Sequence, residues 1–66
     1  MNKIELRVEM VRRNETIEDL AKVLGIVRPT LSAKINGKGF TQKEIATIKE
    51  HYNLSPERVA EIFFAD

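Results

Sequence analysis

The chain contains no cysteine, which excludes a disulfide scaffold, a thiolate zinc site and thiol catalysis. Its one histidine, His51, cannot hold a metal by itself. Its uninterrupted apolar runs are a few residues long, far short of the roughly 20 that a membrane-spanning helix requires. The opening stretch Met1-Asn2-Lys3-Ile4-Glu5 lacks the apolar segment of a secretion signal, so a cytoplasmic protein is expected. No nucleophile–base pair, paired carboxylates on one face or metal-ligand spacing stands out, and no enzyme is expected. No internal repeat, linker or low-complexity segment is visible. A chain of 66 residues buries only about 60% of its unfolded surface. One domain spanning 1–66 is therefore expected, without depth for both a core and an enclosed catalytic cavity.

What is present is a globular balance, 42% apolar and 32% charged. The formal net charge of +1 hides an uneven distribution. Lys22, Arg28, Lys34, Lys38 and Lys43 fall in a stretch of 22 residues that has no acid, a local charge of +5. From Glu44 to Asp66 there are five acids against two bases, a net of −3. Such a cationic stretch is the footprint of a surface for a polyanion, although a solvated face of ordinary lysines has the same composition.

Gly25, Pro29, Gly37, Gly39 and Pro56 punctuate segments of helical pattern. From Lys3 to Arg13, Ile4, Leu6, Val8 and Met10 alternate like a strand, while Leu6, Met10 and Val11 fit a helical stripe. The helix-forming Glu, Arg, Lys and Met around them, and the lack of a hairpin partner, favour a helix. Thr16, with Asp19 three residues on, opens a second segment near a capping-box pattern, and Ile17, Leu20, Ala21 and Leu24 follow at helical spacing. Gly25 suits the left-handed residue that ends a helix. Pro29 discourages Arg28 from helical geometry, so the third segment is expected to start at Pro29 and run to Asn36, with Leu31 and Ile35 facing inward and Gly37-Lys38-Gly39 as a mobile turn. Thr41-Gln42-Lys43-Glu44 is a full capping box, followed by Ile45, Ile48 and Tyr52, with Asn53 closing the helix. Ser55-Pro56-Glu57 is a strong helix start, with Val59, Ile62 and Phe63 on one side. The adjacent Phe63 and Phe64 cannot both face one stripe. The expected fold is all-α, five short helices without a strand.

Helices two and three form a compact unit. Ala21 is small enough for a close crossing, Gly25 permits a tight turn, and Ile26 is placed to plug the space between the helices. Leu20, Ala21, Gly25, Ile26, Leu31 and Gly37 fill a recurring pattern: a leucine-alanine pair, glycine four residues after the alanine, then an aliphatic residue. A further aliphatic residue stands six after that glycine, and a second glycine twelve after it. In this the chain resembles the helix-turn-helix of phage Cro and repressor proteins, the xenobiotic response element family, and the resemblance extends through the capped fourth helix and Leu54-Ser55-Pro56. Three positions depart from it. Ile17 stands where a phosphate-contacting glutamine is frequent, Val27 where a serine or threonine caps the third helix, and Ile35 where a glutamate is common.

The resemblance implies a lambda-repressor-like DNA-binding domain that binds a double-stranded operator, as a homodimer, and acts as a transcriptional regulator of repressor or Cro-like type, phage or prophage derived. The third helix would enter the major groove while the second crosses the backbone. Arg28 is the first candidate for a base, because a guanidinium grips guanine O6 and N7 with two hydrogen bonds. The alternative for Arg28 is an ion pair with Glu18 or Asp19. Pro29, Thr30 and Ala33 are placed for thymine methyls and Ser32 for either donation or acceptance. Thr16, Lys34, Asn36, Lys38, Thr41 and Lys43 are candidates for phosphates. No cofactor, metal or small-molecule substrate is expected. The competing reading is a protein-binding module on the same scaffold, of antitoxin or anti-repressor type, using Ile62-Phe63-Phe64 or the helix-three face. The DNA-binding reading requires the third helix to present its outer side to solvent.

Overall fold

The computed structural model describes residues 1–65. Five α-helices follow one another, α1 (Lys3–Arg12), α2 (Ile17–Leu24), α3 (Arg28–Ala33), α4 (Gln42–Tyr52) and α5 (Pro56–Phe63), and a wider π-type turn, Lys34–Lys38, extends α3. Among the described residues there is no strand. The alternation in the first segment is thus overridden by helix-forming side chains and by an Asn2 cap, whose Oδ1 accepts from the Ile4 and Glu5 amides at 3.2 Å each.

Helix starts are set by local chemistry. Thr16 and Thr41 form complete capping boxes with Asp19 and Glu44, and the Ser55 hydroxyl accepts from the Arg58 amide at 3.1 Å. Three helices end in the same way. Asn14, Gly25 and Asn53 adopt left-handed backbone conformations, and the next residue in each case bonds a carbonyl five residues back: Glu15 to Met10, Ile26 to Ala21 and Leu54 to Lys49. Such closures satisfy carbonyls that the helix would otherwise leave open.

The core is one cluster, drawn from all five helices. Leu6, Leu20, Leu31, Ile48 and Ile62 are fully enclosed, with Met10, Ala21, Ile35, Tyr52, Leu54, Val59 and Phe63 around them. Phe40 meets the Phe63 ring edge-on at 5.7 Å, which anchors the chain between α3 and α4 to α5.

Four sequence expectations change. Val11 is 76% exposed; the core-facing side of α1 carries Leu6 and Met10 together with Glu9, a buried acid. The third helix begins at Arg28, not Pro29: the Leu31 N–H donates to the Val27 carbonyl at 3.2 Å, so the first helical bond already spans Arg28 and the proline. Nor does that helix stop at Asn36. The Gly39 N–H reaches the Lys34 carbonyl at 2.9 Å, and the path bends only at Gly37, whose φ of 144° is available to glycine and few other residues. The widened turn places Ile35 in the core, 2% exposed, at the position where the resembled pattern has glutamate. Finally, Ile62 and Phe63 are core, which leaves Phe64, 66% exposed, as the apolar residue of that trio available at the surface.

The Glu9 carboxylate is 3.3 Å from Arg12, 2.7 Å from Arg13 and 2.7 Å from Arg58. Arg58 also reaches Glu5 at 2.8 Å, and Arg13 donates to the Tyr52 carbonyl at 2.8 Å. These groups brace α1 against α4 and α5, the frame on which α2 and α3 rest.

Candidate nucleic-acid interface

The α2–α3 unit is built around a tight, fully bonded corner. Gly25, at φ 70° and ψ 30°, donates to the Lys22 carbonyl at 3.2 Å, and Ile26 donates to Ala21 at 3.0 Å. Ile26 is half-buried against the core, as its place in the turn predicts. Ala21 is buried, and its short side chain lets α2 and α3 approach. Leu31 and Ile35 hold the inner side of α3 to the core.

The outer side is open. Arg28, Pro29, Thr30 and Ala33 are exposed and Ser32 is half-buried. Val27 precedes the helix without a side-chain hydrogen bond to it, and the first turn of α3 carries no acid. Pro29 contributes no amide there. Val27 itself is 66% exposed beside Arg28. Sequence reasoning assigned it no role beyond a missing cap, yet a β-branched residue at a position that favours Ser, Thr, Asp or Asn is the signal that marks it.

Pairing decides which charges are free. Arg28 forms no ion pair among the described residues, with Glu18, Asp19 or any other acid, and neither do Lys22, Lys38 or Lys43. Lys34 differs. Its ammonium lies 3.1 Å from Glu44, both side chains largely shielded. Burial alone would push the Glu44 carboxyl up, but the Thr41 amide and Lys34 outweigh it and hold the pKa below the usual value. Four further acids are paired within the domain: Glu5, Glu9 and Glu61 with arginines and Glu15 with His51. His51 Nε2 is 2.8 Å from Glu15, which also accepts from the Tyr52 hydroxyl. Burial, then the bond to Glu15, pushes that phenol well above its ordinary pKa.

The two capping threonines are built alike, but Glu44 beside Thr41 has a lysine partner and Asp19 beside Thr16 has no ion pair among the described residues. The Thr16 hydroxyl accepts from the Asp19 amide and also donates to the Asp19 carboxylate at 2.9 Å. The Thr16 amide bond to Asp19, then that hydroxyl bond, lowers the Asp19 pKa, so this end of α2 presents a carboxylate. The Thr41 hydroxyl accepts from the Glu44 amide at 3.2 Å, and its bond to the Glu44 carboxyl helps to lower that pKa. Thr16 and the α3 start lie at opposite ends of α2, roughly 12 Å apart along its axis at 1.5 Å per residue. Asn36, Lys38, Thr41 and Lys43 are all exposed along the segment that follows α3.

Among the described residues no group of three His, Cys, Asp or Glu side chains is placed to hold a metal ion, and no helix is long and apolar enough to cross a membrane. No curated protein and no solved structure matches the chain. A family model matches it over residues 5–63, nearly the whole of the five-helix body, with the corner at Gly25 and the exposed face of α3 inside the match. The chain therefore belongs to the Cro/C1-type HTH DNA-binding domain family, and it is a DNA-binding helix-turn-helix domain.

Proposed function

We propose that the chain is a sequence-specific transcriptional regulator, repressor or Cro-like and phage or prophage derived, that binds its operator as a homodimer with α3 in the major groove. The observation that carries this reading is the exposed, acid-free face of α3, headed by an Arg28 that no acid of the described chain holds. Arg28 reads a guanine edge through O6 and N7. Pro29, Thr30 and Ala33, joined by Val27, supply apolar contact to thymine methyls, and Ser32 adds a hydroxyl. Asn36, Lys38, Thr41 and Lys43 meet phosphates. Thr16 is the weakest of the phosphate candidates, because the Asp19 carboxylate that it bonds has no ion-pair partner among the described residues, whereas Glu44 beside Thr41 is offset by Lys34. Lys34 acts there only as far as Glu44 releases it.

The dimer rests on the family, and the size of the domain supports it. The domain measures 28 × 23 × 20 Å, and α3 alone touches only a few base pairs. Two copies side by side suit half-sites one helical turn apart, about 34–36 Å.

Selection of bound sequences from random duplexes, with gel shifts at two salt concentrations, tests the proposal. The wild-type protein is expected to select a palindrome and to lose affinity steeply as salt rises. Arg28→Ala should relax one guanine per half-site, a loss of about 1–3 kcal/mol. Lys38→Ala should weaken all duplexes alike and flatten the salt slope by about one unit. An unchanged selected motif with Arg28→Ala overturns the base assignment. Absence of any salt-sensitive duplex binding would instead favour the protein-binding module of antitoxin or anti-repressor type, for which the exposed Phe64 is the observation.

A further inference from the structure

Lys3 lies outside the cationic stretch 22–43, yet the fold carries it to the end of the α3 extension. The first residues of α1 and the π-type turn enclose an open cleft of about 240 Å3, lined by Lys3, Lys34, Asn36, Gly37 and Gly39 among others. A water molecule occupies roughly 30 Å3 of liquid, so the cleft has room for a phosphate group with some of its solvent. The Asn2 N–H donates to the Ile62 carbonyl at 2.7 Å while the Asn2 side chain caps α1. Lys3 is therefore the first residue of a helix whose start is pinned to α5.

Of the two lysines that line this cleft, Lys3 is the free one. Lys34 is neutralised by Glu44 at 3.1 Å, whereas Lys3 is exposed and in no ion pair among the described residues. Asn36 is exposed, and its side chain makes no hydrogen bond among the described residues. A cation and an amide, both without partners, face one concavity at the end of the element placed in the groove. We propose that this cleft seats a phosphodiester of the duplex backbone, with Lys3 as the contacting cation and Asn36 as the hydrogen-bond donor. The proposal rests on the reading of α3 as the groove-facing helix, and it extends the contacted backbone beyond residues 16–43 to the start of α1. Phosphate contacts carry no sequence information, so Lys3 contributes affinity and register rather than preference.

The test compares wild type, Lys3→Ala, Lys3→Gln, Lys3→Arg and Lys38→Ala on a selected duplex and a scrambled one, by titration over a series of salt concentrations. Thermal melting of each variant checks folding. One lost phosphate contact lowers the salt slope by about 0.9 unit, which from 1 M to 0.15 M salt corresponds to roughly five-fold in affinity. Lys3→Ala and Lys3→Gln are expected to show this loss equally on both duplexes, and Lys3→Arg to retain wild-type behaviour. If both neutral variants melt like wild type and keep its slope while Lys38→Ala flattens it, the Lys3 contact is refuted and the groove reading stands. If the wild-type protein binds neither duplex at low salt, both fall together.

Discussion

Replacing Glu9 by glutamine tests the brace beneath the helix-turn-helix. The carboxylate is 2% exposed and accepts from Arg13 and Arg58 at 2.7 Å each. A hydrogen bond to a charged group contributes about 1.5–3 kcal/mol. Glutamine keeps one acceptor oxygen, Arg58 keeps Glu5 at 2.8 Å, and Arg13 keeps the carbonyls of residue 9 and Tyr52 at 2.9 and 2.8 Å. About one such bond is therefore lost, and Glu9→Gln should cost about 1.5–3 kcal/mol. Glu9→Ala removes every acceptor from the two guanidiniums on that side and should approach the 3–5 kcal/mol, roughly, of a broken buried ion pair. At about 0.05–0.15 kcal/mol per residue, a 66-residue domain has about 3–10 kcal/mol in all; the glutamine variant stays folded and the alanine variant sits near the limit. Burial alone would raise the Glu9 pKa, but the bonds from Arg13 and Arg58 and the charges of Arg58 and Arg12 bring it below the ordinary value. A carboxyl with a depressed folded pKa contributes fully above its unfolded pKa of about 4.3 and loses that contribution as pH falls through the folded value. Urea unfolding followed by helical circular dichroism should thus show a wild-type advantage that is constant above about pH 5 and shrinks below about pH 4. A glutamine variant with the wild-type midpoint at pH 7, or a gap that persists undiminished at pH 3, refutes the argument.

Two further outcomes follow from the geometry of the binding face. Gly25→Ala meets no atom within 4 Å of the added carbon, so its cost is conformational, about 1–2 kcal/mol for a φ of +70°, and Gly25→Asn should cost less; denaturant midpoints of the two variants check the order. Glu44→Gln keeps the oxygen that accepts from both the Thr41 amide and Lys34 but removes the charge that neutralises Lys34, so duplex affinity should rise and the salt slope steepen by about one unit. An unchanged slope in that titration means that the Lys34 ammonium never reaches a phosphate.

Helix starts and ends were legible because they are written within four or five residues of one another. Thr16 with Asp19, Thr41 with Glu44, and Ser55 before Pro56 each contain the donor and acceptor that the cap needs. The inward stripes of α2, α4 and α5 were legible for the same reason, since side chains three and four apart share a helix face. The same rule misplaced Val11, because Leu6 and Met10 fit stripes that lean to either side of α1, and only contact with α5 selects the side that carries Glu9. The start of α3 was misplaced by one residue because a pairwise steric preference before proline yielded to the bond between Leu31 and Val27.

The order of residues alone determined an all-helical chain, a glycine corner between α2 and α3, and a run of cations without acids around it, since backbone preference, capping and local charge depend on near neighbours. Tertiary structure decided which of those charges are free. Arg58 meets Glu9 across 49 positions and Tyr52 meets Glu15 across 37, Glu44 takes Lys34 out of the cationic set, and Lys3 arrives beside Asn36 from the far end of the chain. Electrostatic and hydrogen-bond partners act through space at a few ångströms, so their choice is made only when the five helices close on one core.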